Sequence, residues 1–255
     1  MSYLALEAFT PLVRLHFELA KPWMARLPKG DGHPVLMLPG MLADDGAMQS
    51  LSWFLESRGY KVLHWDMGRN RGPRPGVYDV LHAKLKAELR RSGRKVSLVG
   101  WSLGGTLARV LANRYPELVR SVVTLASPHT GDAKASKLNW LYTVATGHAP
   151  GSNQGFEREY VRTPELPLTA IYTRFDGVLP WRSVYQEPGP KCESIEVLST
   201  HGAMATHPLV MLVLANRLCQ PEGTWEPFDP PWWFAHANGS VYRGGFKRPG
   251  RAEVH

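Results

Sequence analysis

The sequence predicts an α/β fold in which a mostly parallel central sheet carries helices on both faces. From residue 34 onward, short and continuously apolar segments alternate with longer segments of helical periodicity. Strands that are apolar throughout are typical of parallel sheets that are buried on both faces. The 255 residues, of which 44% are hydrophobic and 20% charged, suit a globular chain of one large domain or two small ones.

Strands and helices alternate along the chain in a regular order. The predicted strands are Pro34–Leu38, Lys61–Trp65, Lys95–Val99, Val119–Leu125, Leu168–Thr173 and Ser194–Leu198. Helical spacing of apolar residues predicts helices at Asp45–Arg58, Val77–Arg91, Leu103–Tyr115 and Pro208–Leu218. Gly59, Gly93 and Pro116 supply stop signals at the ends of three of these helices.

Three regions differ in composition and are expected to differ in structure. Residues 1–33 form an N-terminal helical segment, residues 34–220 the α/β domain, and residues 221–255 a tail rich in Pro, Trp and Gly. Residues 130–166 interrupt the alternation, and a long insertion at this point favours a lid or cap. The tail cannot build a core of its own, so we expect it to pack back on the domain. A partner contact through its aromatic residues is the alternative.

The N-terminal segment has an apolar stripe at helical spacing. The stripe consists of Leu4, Ala8, Leu12, Leu15 and Leu19, and Pro11 interrupts it. We expect this helix to pack on the core. The alternative is a helix that rests on a membrane surface, which would give the protein a peripheral membrane contact.

Charge and targeting signals exclude several classes of protein. No run of 18 apolar residues predicts a spanning helix, and the N-terminus lacks the basic start and cleavage site of a signal peptide, so we expect a cytoplasmic protein. The two cysteines fit neither a disulfide framework nor a zinc site. The net charge of +8 is scattered, and the cluster at Arg69, Arg71 and Arg74 is expected to be a solvated loop rather than a nucleic-acid site.

The segment VSLVGWSLGGT, residues 96–106, places Ser102 between Gly100 and Gly104 where a strand turns into a helix. Such a turn can push the serine hydroxyl out of the sheet edge, beside the free N–H groups of a helix start. Those groups can stabilise a developing oxyanion. The Leu103 N–H is the expected first donor, and the Met41 N–H, after the first strand, the expected second.

A reactive serine needs a base and an acid that orients it, and this type of turn has the order serine, acid, base. Asp132 and Asp176 lie between Ser102 and His201. Asp176 is favoured because it directly follows an apolar strand. His201 is the favoured base because it lies in a loop after the last strand.

Other histidines fit the role of base less well. His207 directly precedes Pro208 and fits the start of a helix better. His129 follows a strand but precedes the acid, so it is expected to line the pocket.

Seven sequence segments, and the order in which they follow one another, resemble those of a known protein family. They are VLMLPGML, GYKVLHWDMGRNRGP, KVSLVGWSLGG, PELVRSVVTLASPHTG, YTRFDGVLPW, STHGAM and QPEGTWEPF. Over most of residues 34–228 the chain resembles the α/β-hydrolase superfamily and, within it, bacterial esterases and lipases. The resemblance implies that Ser102 is the nucleophile, Asp176 the acid and His201 the base, with Met41 and Leu103 as oxyanion donors. Family members often have two further strands at the start, where this chain has its helical segment.

These observations predict a serine hydrolase that cleaves carboxylic esters through an acyl-serine intermediate, without a metal or an organic cofactor. A hydrophobic acyl chain is favoured by apolar residues around the predicted site. The pocket residues are Leu42, Trp101, His129, Trp140, Leu179 and Trp181. Two alternatives remain open, namely an acyltransferase with the same three residues and a catalytically silent protein that binds a membrane or a partner. The sequence predicts no oligomeric state.

Overall fold

One parallel sheet forms the centre of the protein in the computed structural model, which describes residues 10–129 and 154–234, with side chains from residues 15 and 158 onward. Its strands are β1 (Pro34–Leu38), β2 (Lys61–Leu63), β3 (Val96–Trp101), β4 (Val119–Leu125), β5 (Leu168–Tyr172) and β6 (Cys192–Glu196). The strand order is β2-β1-β3-β4-β5-β6, and every neighbouring pair is parallel. The predicted α/β fold is confirmed.

Helices connect the strands and cover both faces of the sheet. They are α1 (Thr10–Met24), α2 (Gln49–Ser57), α3 (Val77–Ser92), α4 (Leu103–Arg114), α5 (Gln154–Val161), α6 (Trp181–Val184) and α7 (Pro208–Leu218). A 3-10 turn, Asp45–Met48, precedes α2, and the Asp44 side chain caps it by accepting the Gly46 N–H. The predicted helix over Asp45–Arg58 is therefore two elements joined end to end.

Two hydrophobic layers lie on opposite faces of the sheet. In β1, Val35 and Met37 contribute to one layer while Leu36 and Leu38 contribute to the other, as the two-residue period of a strand requires. Helices α1, α2 and α7 supply the first layer, and α3 and α4 supply the second. Burial on both faces explains why the strands are continuously apolar.

The strand order places one crevice at the centre of the sheet. From β1 the chain moves outward to β2, and it then returns to the other side of β1 to form β3 through β6. Loops that leave the carboxyl ends of β1 and β3 therefore diverge to opposite faces, and open α/β sheets bind ligands at such a point. Pro39 and Ser102 begin these two loops.

Helix α1 packs with a different face from the one that the leucine stripe predicts. Leu15 and Leu19 are 58% and 73% exposed, whereas Phe17 and Met24 are fully buried in the first layer. Phe17 also contacts Trp53 edge to face, with ring centroids 5.7 Å apart. The expectation that Leu15 and Leu19 contact the core is wrong.

Some strand boundaries differ from the sequence prediction. Strand β2 ends at Leu63 because the Asp45 carboxylate accepts the backbone N–H groups of Trp65 and Asp66, at 2.8 and 3.0 Å, and draws them away from the sheet. Strand β3 extends through Trp101, so the turn at Ser102 is even sharper than the apolar run suggested. The edge strand β6 lies two residues earlier than predicted.

The tail returns to the domain as far as the structure describes it. Phe228 and Phe234 are buried, and their rings are 5.3 Å apart. Trp233 contacts Trp23 of α1 edge to face, while Trp232 is 84% exposed. Within the described parts of the chain, no helix combines the length and the apolar character needed to cross a bilayer.

Of the predicted insertion, the structure describes only residues 154–166. Helix α5 is attached to α4 because Arg109 Nε donates to the Tyr160 carbonyl at 2.7 Å and Asn113 Nδ2 donates to the Glu159 carbonyl at 2.8 Å. Residues 130–153, with Trp140 and Asp132, lie outside the described residues. A lid over residues 130–166, like the boundaries at residues 33 and 220, stays a prediction.

Candidate active site

Ser102 occupies a strained turn between β3 and α4. Its backbone has φ 52° and ψ −122°, a conformation that residues other than glycine rarely adopt. Two hydrogen bonds hold it there, because the Ser102 N–H donates to the Leu125 carbonyl at 2.8 Å and the Ser102 carbonyl accepts the Gly105 N–H at 3.0 Å. The side chain is partly exposed. The turn therefore presents the hydroxyl at the carboxyl edge of the sheet.

The glycines on both sides of Ser102 let α4 approach the sheet. A Cβ at Gly104 would lie 2.0 Å from the Leu38 carbonyl oxygen, and one at Gly100 would lie 2.4 Å from the Gly105 backbone. Both distances are far below van der Waals contact, so any side chain would push the helix start away from β1 and β3. The spacing of these glycines thus serves close packing as well as the turn.

His201 and Asp176 meet Ser102 although they are distant in sequence. His201 Nε2 lies 3.1 Å from Ser102 Oγ, and His201 Nδ1 lies 2.7 Å from Asp176 Oδ2. A carboxylate can only accept, so Nδ1 carries the proton and Nε2 is left to accept the serine hydroxyl proton. We call these three residues the Ser102 triad.

Backbone contacts fix both partners of the serine. The other Asp176 oxygen, Oδ1, accepts the N–H groups of Val178 and Leu179 at 2.8 and 2.6 Å. The His201 carbonyl accepts a hydrogen bond from Trp101 Nε1 at 3.1 Å. Asp176 and His201 are each 7% exposed, so these hydrogen bonds form away from bulk water.

The two predicted oxyanion donors lie on the two loops that meet beside Ser102. Leu103 is the first residue of α4, and the first N–H groups of a helix have no acceptor within the helix. Met41 follows Gly40, where an added Cβ would lie 3.4 Å from Ser102 Cβ. The loop after β1 is thus packed against the serine. The donor roles of Met41 and Leu103 stay predictions.

The predicted pocket residues separate into two groups. Leu42, 42% exposed, follows Met41, while Trp101 and Leu179 contact His201 and Asp176 as described above. His129 and Trp181 instead line a cavity of about 680 Å³ between β5, α6 and the residues after α5. The other lining residues are Thr163, Tyr172, Arg174, Arg182, Tyr185, Gln186 and Glu187. Ser102 is not among the described residues that line this cavity.

The histidines that compete with His201 have structural surroundings. His207 Nδ1 accepts the Leu209 N–H at 3.2 Å and so caps α7. Burial lowers the pKa of His207 to about 4, and burial likewise lowers the pKa of His129 to about 4. Neither ring hydrogen-bonds to Ser102, whereas His201 does.

Sequence reasoning missed Asn70. It treats residues 69–74 as an exposed basic loop, and Arg69, Arg71 and Arg74 are indeed exposed, but Asn70 between them is completely buried. Its side chain contacts the loop after β1. A short polar residue among glycine and proline, just after a strand, is the signal that could have suggested it.

Comparisons with known proteins agree with this architecture. A family model described as the alpha/beta hydrolase fold matches residues 34–146. A structure of the metagenome-derived lipolytic enzymes LipS and LipT aligns with a TM-score of 0.56 and 16% identity, and the alignment covers 75% of this chain and 94% of that one. The chain has the α/β-hydrolase fold. The resemblance to this superfamily that the sequence predicts is confirmed.

Two further solved structures are similar at the level of fold. A pyrethroid hydrolase from Sphingobium faniae aligns with a TM-score of 0.51 and 19% identity over 74% of this chain and 98% of that one. An esterase from Pyrococcus furiosus aligns with a TM-score of 0.54 and 17% identity over 73% and 82%.

Curated relatives match a shorter part of the chain. The mouse serine hydrolase BPHL is 33% identical over 122 residues, which are 44% of this chain and 38% of that protein. A triacylglycerol lipase from Pseudarthrobacter phenanthrenivorans is 33% identical over 109 residues, 39% of this chain and 34% of the lipase. The match therefore spans well under half the length of each relative.

Proposed function

We propose that this α/β-hydrolase cleaves carboxylic esters through an acyl-Ser102 intermediate. The observation that carries the proposal is the Ser102 triad, in which hydrogen bonds of 3.1 and 2.7 Å link a strained, partly exposed serine to a histidine and a buried aspartate. A serine hydroxyl becomes nucleophilic when a base of this kind accepts its proton. The similarity to a serine hydrolase and to lipases and esterases supports the same chemistry.

In the acylation half, Ser102 Oγ bonds to the ester carbonyl carbon while its proton passes to His201 Nε2. The carbonyl π electrons move to the carbonyl oxygen, and the N–H groups of Leu103 and Met41 donate to that oxyanion. When the carbonyl re-forms, the bond to the leaving alcohol breaks and the alcohol oxygen takes the proton from His201 Nε2. Asp176 stabilises the imidazolium that exists between these two transfers.

The deacylation half repeats these steps with water. His201 Nε2 accepts a proton from water as the water oxygen attacks the acyl carbon. The bond to Ser102 Oγ then breaks, Ser102 recovers its proton from His201, and the carboxylic acid leaves. The scheme uses no metal or organic cofactor. Products formed with added alcohol measure how the acyl-enzyme divides between water and alcohol, which tests acyl transfer as the alternative.

A fluorophosphonate probe tests the nucleophile directly, because it phosphonylates an activated serine. We expect the wild-type protein to be labelled at Ser102 and the Ser102→Ala variant to remain unlabelled. Ser97→Ala is the matched control, since it removes a buried serine hydroxyl that is also bound to a histidine but lies within β3. A folded wild-type protein that is neither labelled nor able to hydrolyse an ester would refute the proposal.

The acyl chain is proposed to be hydrophobic. Leu42 follows Met41, the Trp101 ring lies 5.9 Å from the His201 ring, and the Leu179 N–H donates to Asp176. These apolar residues favour a hydrophobic acyl chain, because burial of one methylene contributes about 0.8 kcal/mol, or up to about four-fold in kcat/KM. We expect kcat/KM to rise from acetyl to butyryl to octanoyl esters of one chromogenic alcohol. A clear preference for the acetyl ester would contradict this substrate class and leave the chemistry intact.

A further inference from the structure

Asn70 makes four hydrogen bonds at the loop that follows β1. Its Nδ2 donates to the Pro39 carbonyl at 2.7 Å, and its Oδ1 accepts the Gly72 N–H at 2.9 Å. Its backbone carbonyl accepts the Leu42 N–H at 2.7 Å, and its backbone N–H donates to the Ala43 carbonyl at 2.8 Å. The residue is completely buried. Both its side chain and its backbone therefore hold the segment from Pro39 to Ala43.

The direction of the Asn70 amide is unambiguous. A carbonyl oxygen can only accept and a backbone N–H can only donate, so only one orientation satisfies both Pro39 and Gly72. No side chain other than asparagine has the same length and offers a donor and an acceptor in this geometry. Alanine removes both bonds, and aspartate keeps the acceptor and loses the donor when it is ionised.

These bonds restrain the peptide planes on both sides of the one that carries the Met41 N–H. The Pro39 carbonyl belongs to the plane before it, and the Leu42 N–H belongs to the plane after it; Asn70 binds both. Peptide planes are rigid, so fixing two neighbours leaves the plane between them little freedom. Leu42 has φ 60°, a conformation that leucine rarely adopts without such restraint.

The restrained plane lies directly beside the nucleophile. A Cβ at Gly40 would meet Ser102 Cβ at 3.4 Å, and the Pro39 carbonyl oxygen lies 2.6 Å from the ideal Cβ position of Gly104 at the start of α4. The segment is thus held between Asn70 on one side and the Ser102 turn on the other. A small rotation of this plane would move the Met41 N–H relative to the carbonyl oxygen of a bound ester.

We propose that Asn70 is a positioning residue that aims the Met41 N–H at the oxyanion. It touches neither the substrate nor the Ser102 triad, and it acts through the direction of one backbone donor. This inference rests on the proposed ester hydrolysis. Misplacing one such donor weakens binding of the transition state far more than binding of the ester itself.

The test compares Asn70→Ala and Asn70→Asp with Asn113→Ala. Asn113 is the matched control because its Nδ2 also donates to backbone carbonyls, those of Glu159 and Arg162, but lies near the far end of α4. The substrate is a chromogenic ester, and the concentration of functional sites comes from end-point titration with a fluorophosphonate. We expect kcat per titrated site to fall about 10- to 100-fold in both Asn70 variants, with KM changed by less than about two-fold.

A second measurement separates positioning from a purely structural role. An alkyl boronic acid forms a tetrahedral adduct with an active serine, so its affinity reports on the oxyanion donors. We expect this affinity to fall by a factor similar to that for kcat in the Asn70 variants and to stay at the wild-type value in Asn113→Ala. If Asn70→Ala does not fold, the isosteric Asn70→Asp variant decides the question.

Two results would overturn the inference about Asn70, and a third would overturn the proposed ester hydrolysis on which it rests. Wild-type kcat per titrated site in a folded Asn70 variant would show that the residue does not aim the donor. A rise in KM alone, with unchanged boronic acid affinity, would show the same. A wild-type protein that neither labels nor turns over the ester refutes ester hydrolysis itself.

Discussion

Two Ser-His-Asp groups with nearly the same hydrogen bonds lie at opposite ends of the parallel strands. In the Ser102 triad the two distances are 3.1 and 2.7 Å. At the amino ends of the strands, His33 Nε2 lies 2.8 Å from Ser97 Oγ and His33 Nδ1 lies 2.6 Å from Asp31 Oδ1. We call this second group the Ser97 triad. Its three residue types bind through the same atoms in the same order.

The surroundings of the two serines differ in every respect that nucleophilic catalysis requires. Ser97 lies inside β3, is completely buried, and shares a hydrogen bond of 2.9 Å with Ser121 Oγ. Ser102 is partly exposed at a turn, beside the start of α4. The Ser97 hydroxyl is thus closed off from solvent, whereas the Ser102 hydroxyl is accessible and lies next to the first residue of a helix.

The two aspartates also have different partners. Asp31 accepts hydrogen bonds from the guanidinium groups of Arg94 and Arg120, so it ties three segments of the chain together. Asp176 accepts backbone N–H groups of its own loop. The contrast shows that the same three residue types make the same hydrogen bonds in two places where the serine differs in exposure. We expect only the Ser102 triad, at the carboxyl ends of the strands, to act as an active site.

The largest expected effect comes from removing each serine hydroxyl in turn. Ser102→Ala should lower kcat for an ester about 10⁶-fold, since no other group can form the acyl intermediate. Ser97→Ala should leave kcat at the wild-type level and lower the free energy of unfolding by about 1–3 kcal/mol, because His33 and Ser121 lose a buried partner. Steady-state kinetics and urea unfolding measure the two quantities. Equal losses of activity in both variants would break the comparison.

The second largest effect is expected from replacing each of the two aspartates by asparagine. Asp176→Asn keeps the shape of the side chain but disfavours the His201 tautomer that accepts the serine proton, so kcat should fall about 10⁴-fold. Asp31→Asn weakens the contacts with Arg94 and Arg120 and should lower the melting temperature with little change in kcat. Activity assays and thermal unfolding of both variants provide the check. An active Asp176→Asn enzyme would exclude Asp176 as the acid.

The smallest effect concerns the dependence of stability on pH. Burial lowers the pKa of His33 to about 4 in the folded protein, below its ordinary value of about 6.5. Between these two pH values the unfolded chain binds a proton that the folded chain does not, so stability falls as the pH is lowered from about 6.5 to about 4. His33→Asn should reduce that slope by up to about 1.4 kcal/mol per pH unit.

Urea unfolding of the wild-type and His33→Asn proteins across this pH range measures the difference. His129 and His207 also have pKa values lowered to about 4 by burial, and they contribute equally to both slopes. Identical slopes in the two proteins would show that His33 is protonated in the folded state. The contact between His33 and Asp31 would then be an ion pair rather than a hydrogen bond from a neutral imidazole to a carboxylate.

Much of the fold could be predicted because its signals are local. The strand at Pro34–Leu38 and the helix at Pro208–Leu218 have the predicted bounds, since a continuous apolar run and a proline at the first helical position act within a few residues. The buried face of helix α1 was harder to predict. Two of its faces carry apolar side chains, and the choice between Leu15 and Phe17 depends on the surface that the rest of the domain offers.

The sequence by itself determined the alternation of strands and helices and the glycine-flanked turn at Ser102, because backbone sterics and apolar periodicity operate between near neighbours. It also reduced the partners of Ser102 to a few aspartates and histidines. Only the tertiary structure decided that Asp176 and His201 reach Ser102, that Asn70 holds the loop after β1, and that a second serine and histidine, Ser97 and His33, are completely buried. Contacts between residues far apart in sequence arise from the packing of the whole chain, and no local pattern encodes them.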